Sequence, residues 1–270
     1  MKTLMLISLS ASLSLFLHAG QSFAGTESTL IDHGSPVGTD SPTGSCIAQI
    51  FLNGIPGHAR CSGTVVAPNI ILTAAHCLKF LDGWGEWSGG VIFENMDDPG
   101  GEIGPPTDPS TLKTFRSITQ KYVYDHYDPG SGPATSYGDW ALVKFDGPMP
   151  TNCTPVKLSK KNAKVGKNYI EIGHGINEDG TQLQNLMAVE NTAIKSKSKH
   201  IVTLQEDFGG TTAGDSGGAV LQVNKDESVT VVGVIVGATT VSFRDSSTSV
   251  SYFRRSIEKA IKKMQETSAK

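Results

Sequence analysis

Ser216 lies in the segment Gly214-Asp215-Ser216-Gly217-Gly218, which has the residue types that a nucleophilic serine requires. A serine hydroxyl is a weak nucleophile at neutral pH, and it needs a neighbouring base that takes its proton. The oxyanion formed by its attack needs backbone N–H donors, and glycines let the chain turn tightly enough to present them. The segment therefore predicts covalent catalysis if the chain also supplies a base and an acid that orients it.

The positions of the histidines decide between two arrangements that share the pattern Gly-x-Ser-x-Gly. In the strand-to-helix elbow of α/β-hydrolases, the acid and the histidine follow the serine in the chain. In the other arrangement, a histidine and then an aspartate precede a serine in a glycine-rich loop. The histidines lie at positions 18, 33, 58, 76, 126, 174 and 200, so none follows Ser216. The elbow arrangement is therefore excluded.

His76 and Asp139 are the candidate base and acid upstream of the serine. His76 follows the run 70–75 and precedes a cysteine, so it stands at the end of an apolar strand. Asp139 leads into the apolar run 140–145, where a buried carboxylate would need a partner such as an imidazole N–H. Taken alone, each has an ordinary structural explanation, a histidine at a strand end and an aspartate capping a turn. The chemical interpretation depends on their occurring together with Ser216.

The composition indicates a globular, β-rich protein. The chain has 270 residues, of which 38% are hydrophobic and 18% charged, and its 30 glycines suit many turns. Its net charge of −3 leaves no basic footprint, so nucleic acid is not an expected partner. Short β-type runs separated by turn residues are typical of a barrel or sandwich. They cover residues 47–52, 62–66, 70–74, 140–145, 168–173, 200–204, 218–223 and 229–236.

The rest of the chain contains three predicted breaks between strands and one segment in which the hydrophobic period changes from that of a strand to that of a helix. Loops are predicted at 94–110 and 125–138, and a weaker break at 147–150 marks the link between two halves. Within 256–267, apolar residues recur at i, i+3, i+4 and i+7, which predicts an amphipathic helix. We expect this helix to pack on the core of the protein, with a membrane or a partner groove as the alternative.

The N-terminus has the pattern of a secretory signal peptide over residues 1–24. Lys2 precedes an apolar stretch at 4–17, and the small-residue site Ser22-Phe23-Ala24 follows it. A membrane anchor would need about 20 apolar residues, and this stretch is shorter and interrupted by serines. We therefore expect a soluble exported protein that begins near Gly25.

Export makes disulfides plausible for the four cysteines at positions 46, 61, 77 and 153. The sequence permits three pairings. Cys61 and Cys77 bracket the apolar segment that ends at His76, which favours a Cys61–Cys77 bridge and leaves Cys46 with Cys153. Zinc is the competing interpretation, but no two cysteines show the close spacing typical of zinc ligands.

Three motifs together resemble the trypsin/chymotrypsin family of serine endopeptidases, and they occur in that family's order. They are Thr73-Ala74-Ala75-His76-Cys77, Asp139-Trp140-Ala141-Leu142 and Gly214-Asp215-Ser216-Gly217-Gly218. The resemblance runs from about Ile31 to the C-terminal helix. It implies an all-β fold of two six-stranded antiparallel β-barrels, with the active site between them and a C-terminal α-helix outside.

The same resemblance implies roles at the matching positions. Ser216 would be the nucleophile, His76 the general base, and Asp139 the acid that orients it, while the N–H groups of Gly214 and Ser216 would form the oxyanion hole. The Cys61–Cys77 bridge would lie beside the histidine, as in the family. The peptidase domain would span 31–270, with barrels at about 31–146 and 155–254 and a helix at about 255–267.

The family is commonly activated by cleavage, and the new N-terminus then pairs with the aspartate that precedes the serine. That aspartate is Asp215, and Ile31 begins a divergent version of the family's start, after a short propeptide at 25–30. Leu30 replaces the usual Lys or Arg at the cleavage point. The alternative is an ordinary N-terminal strand, with Asp215 satisfied locally.

The specificity pocket departs from the family pattern. The resemblance assigns Gly210, Thr211 and Ala238 to it, and Gly210 brings no charge to the floor, where enzymes that cut after Lys or Arg have an acid. The disulfide that usually braces the pocket is absent. We expect neutral residues before the cleaved bond, with Asp207 as the alternative source of an acid.

The sequence thus predicts a secreted or periplasmic serine endopeptidase that acts on polypeptides through an acyl-enzyme. We expect a monomer without a membrane anchor or cofactor. The acidic residues of 94–102 lie roughly where some members of the family bind calcium, but any solvated loop contains such residues, so we expect no metal. A catalytically silent binding or regulatory homologue of the same fold and an esterase are the alternatives.

Overall fold

The computed structural model describes residues 34–41, 43–54, 58–79, 87–93, 115–132, 135–175, 186–197, 199–204, 210–239 and 244–267. Regular structure in these residues is mostly β-strand, and a long helix ends the described chain. In chain order the elements are β1 (Ser35–Pro36), a 3-10 turn (Gly44–Cys46), β2 (Ile47–Gly54), β3 (His58–Ala67), β4 (Ile70–Thr73), α1 (Ala75–Lys79), β5 (Trp87–Ile92), β6 (Arg116–Val123), β7 (Ala141–Phe145), β8 (Lys157–Leu158), β9 (Asn168–Gly173), β10 (Met187–Lys197), β11 (His200–Leu204), β12 (Ala219–Val223), β13 (Val229–Thr239), β14 (Arg244–Ser249) and α2 (Val250–Glu266).

Strands β2 to β7 form the first closed barrel, in the order β2-β3-β4-β7-β6-β5. Neighbouring strands are antiparallel, and the ring closes because β2 pairs with β3 on one side and with β5 on the other. Side chains alternate between the two faces of a strand, so one set fills the interior of the barrel. Phe51, Ile71, Leu142 and Phe145 are among the buried side chains of these strands.

The second barrel has the order β9-β10-β11-β14-β13-β12 and closes where β9 pairs with both β10 and β12. Its six strands are antiparallel, whereas β1 and β8 lie outside the ring as short additions to β10 and β13. The expected all-β class, with two six-stranded antiparallel barrels and a C-terminal helix, is therefore confirmed.

Each of the eight predicted β-type runs coincides with a strand, but four of the twelve barrel strands lacked a sequence signal, as did the short strands β1 and β8. The four strands are β5, β6, β10 and β14. Strand β14 is the clearest case, because it reads Arg-Asp-Ser-Ser-Thr-Ser and yet all of it after Arg244 is buried. Hydrophobic periodicity cannot detect a buried strand that is made of polar residues.

The predicted loop at 125–138 connects β6 to β7. An isolated antiparallel bridge between Asp128 and Tyr137 joins the two sides of this loop. The chain then crosses to the second barrel near the predicted break at 147–150. The Cys46–Cys153 disulfide fastens this crossing to the start of β2. Residues 1–33 and 94–114, which include the predicted signal peptide, the propeptide and the whole of the other predicted loop, lie outside the described residues.

Helix α2 begins at Val250, earlier than the predicted start at about 255, because β14 runs directly into it. Its buried face continues the predicted period backwards through Phe253 to Val250. The Phe253 ring lies 5.4 Å from the ring of Tyr124 and 5.5 Å from that of Tyr137, both near the first barrel. The helix that follows the second barrel therefore also packs against the first. None of the helices in the described ranges is long and apolar enough to cross a membrane.

Candidate active site

His76 is held at the start of α1, directly after the fully buried strand β4. The Cys61–Cys77 disulfide ties α1 to β3, so the backbone on the C-terminal side of the histidine is anchored covalently to the barrel. The imidazole itself is 33% exposed, which leaves it open to a molecule that arrives from solvent.

Asp139 lies just before β7, after a turn in which Gly138 has a φ of +65°. Its side chain is 2% exposed, and both of its oxygens accept hydrogen bonds from His76. The backbone N–H of His76 donates to Oδ1 at 2.9 Å, and Nδ1 lies 2.9 Å from Oδ2. A carboxylate can only accept, so Nδ1 carries the proton and Nε2 is left with a lone pair. The acid thus fixes the position, orientation and tautomer of the imidazole.

Ser216 lies in a tight loop of the second barrel, between Gly214, with a φ of +95°, and Gly217, with a φ of +85°. A Cβ atom on Gly217 would lie 2.1 Å from Thr73 Oγ1, so only glycine lets this loop approach the first barrel so closely. Within the described ranges, the N–H groups of Gly214 and Ser216 make no hydrogen bond and stay available to a ligand.

The serine loop and the histidine meet at the Cys61–Cys77 disulfide. Cys77 Sγ lies 3.8 Å from His76 Nε2 and 3.7 Å from the carbonyl oxygen of Ser216. In this structure Ser216 Oγ donates to the carbonyl oxygen of Val236 at 3.4 Å, and no hydrogen bond joins it to His76 among the described residues. Asp139 and His76 are therefore paired, while the serine hydroxyl is bonded to a neighbouring carbonyl. Catalytic hydrogen bonds are often loose in a protein without its ligand.

Asp215, the residue before the serine, is fully buried. Its Oδ2 accepts hydrogen bonds from the N–H of Thr212 at 2.8 Å and from Thr212 Oγ1 at 3.2 Å, while Oδ1 has no partner among the described residues. Burial, with a smaller contribution from the charge of Asp245, raises the pKa of Asp215 to about 7 in spite of the opposing hydrogen bonds from Thr212 and Gly175. This carboxyl group is therefore costly to ionise unless a cation reaches it.

Two of the three predicted pocket residues, Thr211 and Ala238, lie next to a carboxylate that sequence reasoning missed. Asp245 lies opposite Ala238 in the β13–β14 register, and its Oδ1 accepts hydrogen bonds from Thr211 Oγ1 at 2.6 Å and from the N–H of Thr211 at 3.2 Å. Gly210, which precedes Thr211, is also buried. The alternative acid, Asp207, lies outside the described residues.

Asp245 belongs to a buried polar network in the second barrel. Asn191 Nδ2 donates to Glu171 Oε2 at 2.6 Å and lies 3.4 Å from Asp245 Oδ2, and Thr203 Oγ1 donates to Glu171 Oε1 at 2.8 Å. Burial, followed by the charge of Asp245, raises the pKa of Glu171. Two neighbouring buried carboxyls cannot both ionise cheaply, so the pair favours a shared proton.

One cluster in the described ranges has side chains of the types that bind metals, namely Cys61, His76 and Cys77. Both sulfur atoms belong to the disulfide, so neither is available as the thiolate that zinc requires. The acidic residues of 94–102, the alternative calcium site, lie outside the described residues.

Two closed antiparallel barrels, with a His–Asp pair on one and a glycine-flanked serine loop on the other, define the chymotrypsin fold. The chain belongs to the trypsin family, because the family model described as Trypsin matches residues 36–99 and 106–257. Its class is therefore that of the serine peptidases, which are hydrolases.

Solved structures agree with this fold. The structure of a Glu endopeptidase in complex with MPD is 18% identical, covers 84% of this chain and 95% of its own, and has a TM-score of 0.62. The structure of HL collagenase is 17% identical, covers 85% of this chain and 97% of its own, and has a TM-score of 0.65. At these identities the likeness concerns the fold alone.

The buried state of Asp215 makes the stability of the protein dependent on pH. We expect the free energy of unfolding to fall between about pH 4 and about pH 7, because the folded state keeps a proton that the unfolded state, with a pKa of 3.8, has lost. Asp215→Asn should remove much of this fall and leave the part contributed by Glu171. The measurement is urea unfolding across this pH range in a Ser216→Ala background, which keeps a trypsin-family chain from cutting itself. Parallel profiles with and without Asp215→Asn would contradict the expectation.

Proposed function

We propose that this protein is a secreted serine endopeptidase that hydrolyses peptide bonds through His76, Asp139 and Ser216. The observation that carries the proposal is the double hydrogen bond from His76 to Asp139, which leaves Nε2 as a base beside the serine loop. A catalytically silent homologue would have no use for an oriented base and two free N–H groups at this point.

In the proposed reaction, Ser216 Oγ leaves the carbonyl of Val236 by rotation about χ1 and turns towards His76 Nε2. Nε2 takes the hydroxyl proton while Oγ bonds to the carbonyl carbon of the substrate. Asp139 stabilises the resulting imidazolium, which then gives its proton to the leaving amine as the C–N bond breaks. Water, deprotonated by the same Nε2, hydrolyses the acyl-enzyme and restores Ser216.

The tetrahedral oxyanion would be held by the N–H groups of Gly214 and Ser216. Donors that are fixed before the reaction stabilise developing charge without reorganising, which makes this term one of the largest in acyl transfer. The positive φ of Gly214 supports this role, because it turns the backbone into a conformation that a side chain would strain.

The proposed location is outside the cytoplasm, as a secreted or periplasmic monomer that acts on polypeptides. Two disulfides support an oxidising compartment. The signal-peptide pattern at residues 1–24 adds to this, as does the expectation that the mature chain begins after it.

Asp245 changes the expectation about the residue before the cleaved bond. The expectation of neutral residues rested on Gly210, whereas Asp245 contacts Thr211 and lies opposite Ala238. A cationic side chain that enters between these positions would approach a carboxylate in a protein interior, where such a pairing is strong. The proposed enzyme therefore accepts Lys and Arg at this position as well as neutral residues.

Activation by cleavage before Ile31 is the proposed use of Asp215. A buried carboxyl group with one oxygen unpartnered among the described residues is suited to receive an ammonium group. The new N-terminus of Ile31 would supply this group, and the pairing would lower the pKa of Asp215 again.

Ser216→Ala should reduce kcat on a peptide substrate by about 10⁶-fold, because the nucleophile acts as a unit with its base. The same variant should lose covalent labelling by a fluorophosphonate, which wild-type protein should take up on Ser216. Ser228→Ala, an exposed serine on the β12–β13 turn, is the matched control and should keep both properties. Labelled, hydrolysing Ser216→Ala protein would refute the assignment.

Asp245→Asn should lower kcat/KM about 10- to 100-fold for peptides with Lys or Arg before the cleaved bond, since a hydrogen bond to a charged group contributes about 1.5–3 kcal/mol. Peptides with Leu or Ala there should change little. Glu171→Gln, in the same network but away from the pocket positions, should affect both kinds of peptide alike. Peptide-library profiling measures this, and a wild-type enzyme that rejects Lys and Arg would contradict it.

Active protein should begin at Ile31 when its N-terminus is sequenced. Its intact mass should equal that of residues 31–270 with two disulfides. In this processed form Asp215→Asn should be nearly inactive, because no carboxylate remains to hold the new ammonium group and with it the loop before Ser216. Full activity with residues 25–30 still attached would exclude this route.

A further inference from the structure

Ser62, on β3 of the first barrel, makes three hydrogen bonds to the second barrel, and none of them follows from the proposed chemistry. Its N–H donates to the carbonyl oxygen of Ser216 at 2.8 Å, and its Oγ donates to the carbonyl oxygen of Gly214 at 2.9 Å. The same Oγ accepts from the N–H of His174, just after β9, at 2.8 Å. Ser62 is completely buried, so no water replaces these partners easily.

These contacts fall on two alternate carbonyl groups of the serine loop. The carbonyl between them, that of Asp215, accepts from the N–H of Gly218 at 2.8 Å. Each of the three consecutive carbonyl groups from Gly214 to Ser216 is therefore held in its orientation by a hydrogen bond. Because a peptide group is planar and trans, a fixed carbonyl also fixes the direction of the N–H across the same bond. The N–H of Ser216 thus points away from the Asp215 carbonyl, which Gly218 holds, and Ser62 fixes the two peptide groups on either side of it.

Ser62 is itself rigidly held. Its carbonyl oxygen accepts from Thr73 Oγ1 at 2.8 Å, at the end of the strand that leads to His76. Its neighbour Cys61 is bonded to Cys77, on the other side of the histidine. One residue therefore joins the segment that carries the base to the loop that carries the nucleophile.

We propose that the hydroxyl of Ser62 is the positioning group for the oxyanion-binding loop, through its bonds to Gly214 and His174. This inference rests on the proposed endopeptidase activity and adds a determinant on the opposite barrel. A hydroxyl is suited to the position because it donates to one buried backbone group and accepts from another at the same time. Its loss leaves both groups unpaired and lets the peptide planes of the loop rotate.

The test compares Ser62→Ala with Ser45→Ala. Ser45 is the matched control, because it is equally buried and donates to the carbonyl oxygen of Asn152 at 2.9 Å, away from the serine loop. Ser62→Ala should lower kcat about 10- to 100-fold with little change in KM, since donors aimed at a developing charge act on the transition state. Ser45→Ala should lose stability and keep its kcat.

A peptide boronic acid provides a second readout, because its tetrahedral adduct with Ser216 occupies the oxyanion hole. Its inhibition constant should weaken in Ser62→Ala by about the same factor as kcat, while a product peptide should bind as before. Ser62→Thr, which keeps the hydroxyl, should recover most of the loss. Ser62→Gly, which leaves room for water, replaces Ser62→Ala if that variant does not fold.

Two outcomes would overturn the proposal. One is a folded Ser62→Ala protein whose kcat and boronate affinity match those of the wild type. The other is an equal loss of kcat in Ser62→Ala and Ser45→Ala, which would indicate a general effect of stability. A wild-type protein that neither hydrolyses peptides nor takes up a fluorophosphonate would instead refute the endopeptidase assignment, so the two failures are distinguishable.

Discussion

The proposed chemistry of this protein depends on hydrogen bonds between two closed barrels. His76 and Asp139 lie on the first barrel and the serine loop on the second, so neither barrel contains all three proposed residues. The hydrogen bonds between the barrels hold the serine loop in place because they join backbone groups and a buried hydroxyl, whose geometry is nearly rigid. A small displacement of one barrel would directly change the distances between the proposed reacting atoms.

The same need for rigidity explains why polar groups are buried on the substrate side of the second barrel. A hydrophobic core would tolerate small shifts, whereas a network such as Glu171, Asn191 and Asp245 has one arrangement in which its partners are satisfied. Such a network costs stability, since burial raises the pKa of Glu171 and of Asp215. Carboxyl groups held in this way respond strongly to a cation that approaches them.

Much of the fold could be predicted from local patterns. Apolar runs separated by turn residues predicted eight of the strands. The resemblance of the three motifs to a known family predicted the double barrel. Strand β14 and Asp245 escaped detection, because a buried polar strand has no hydrophobic period. The start of α2 was placed too late for a related reason, since Val250 and Phe253 stand where a strand passes into a helix without a turn signal.

The sequence by itself determined the chemical types and their order: a serine between glycines, a histidine after an apolar strand and an aspartate before another. These are local properties of the chain, so they can be recognised without knowing where the fold places the residues. Only the tertiary structure decided that Asp139 binds His76 twice, that Asp245 reaches the pocket positions and that Ser62 holds the serine loop. Each of these contacts joins strands that are distant in sequence, and their register is set by the closure of the barrels, not by any one segment.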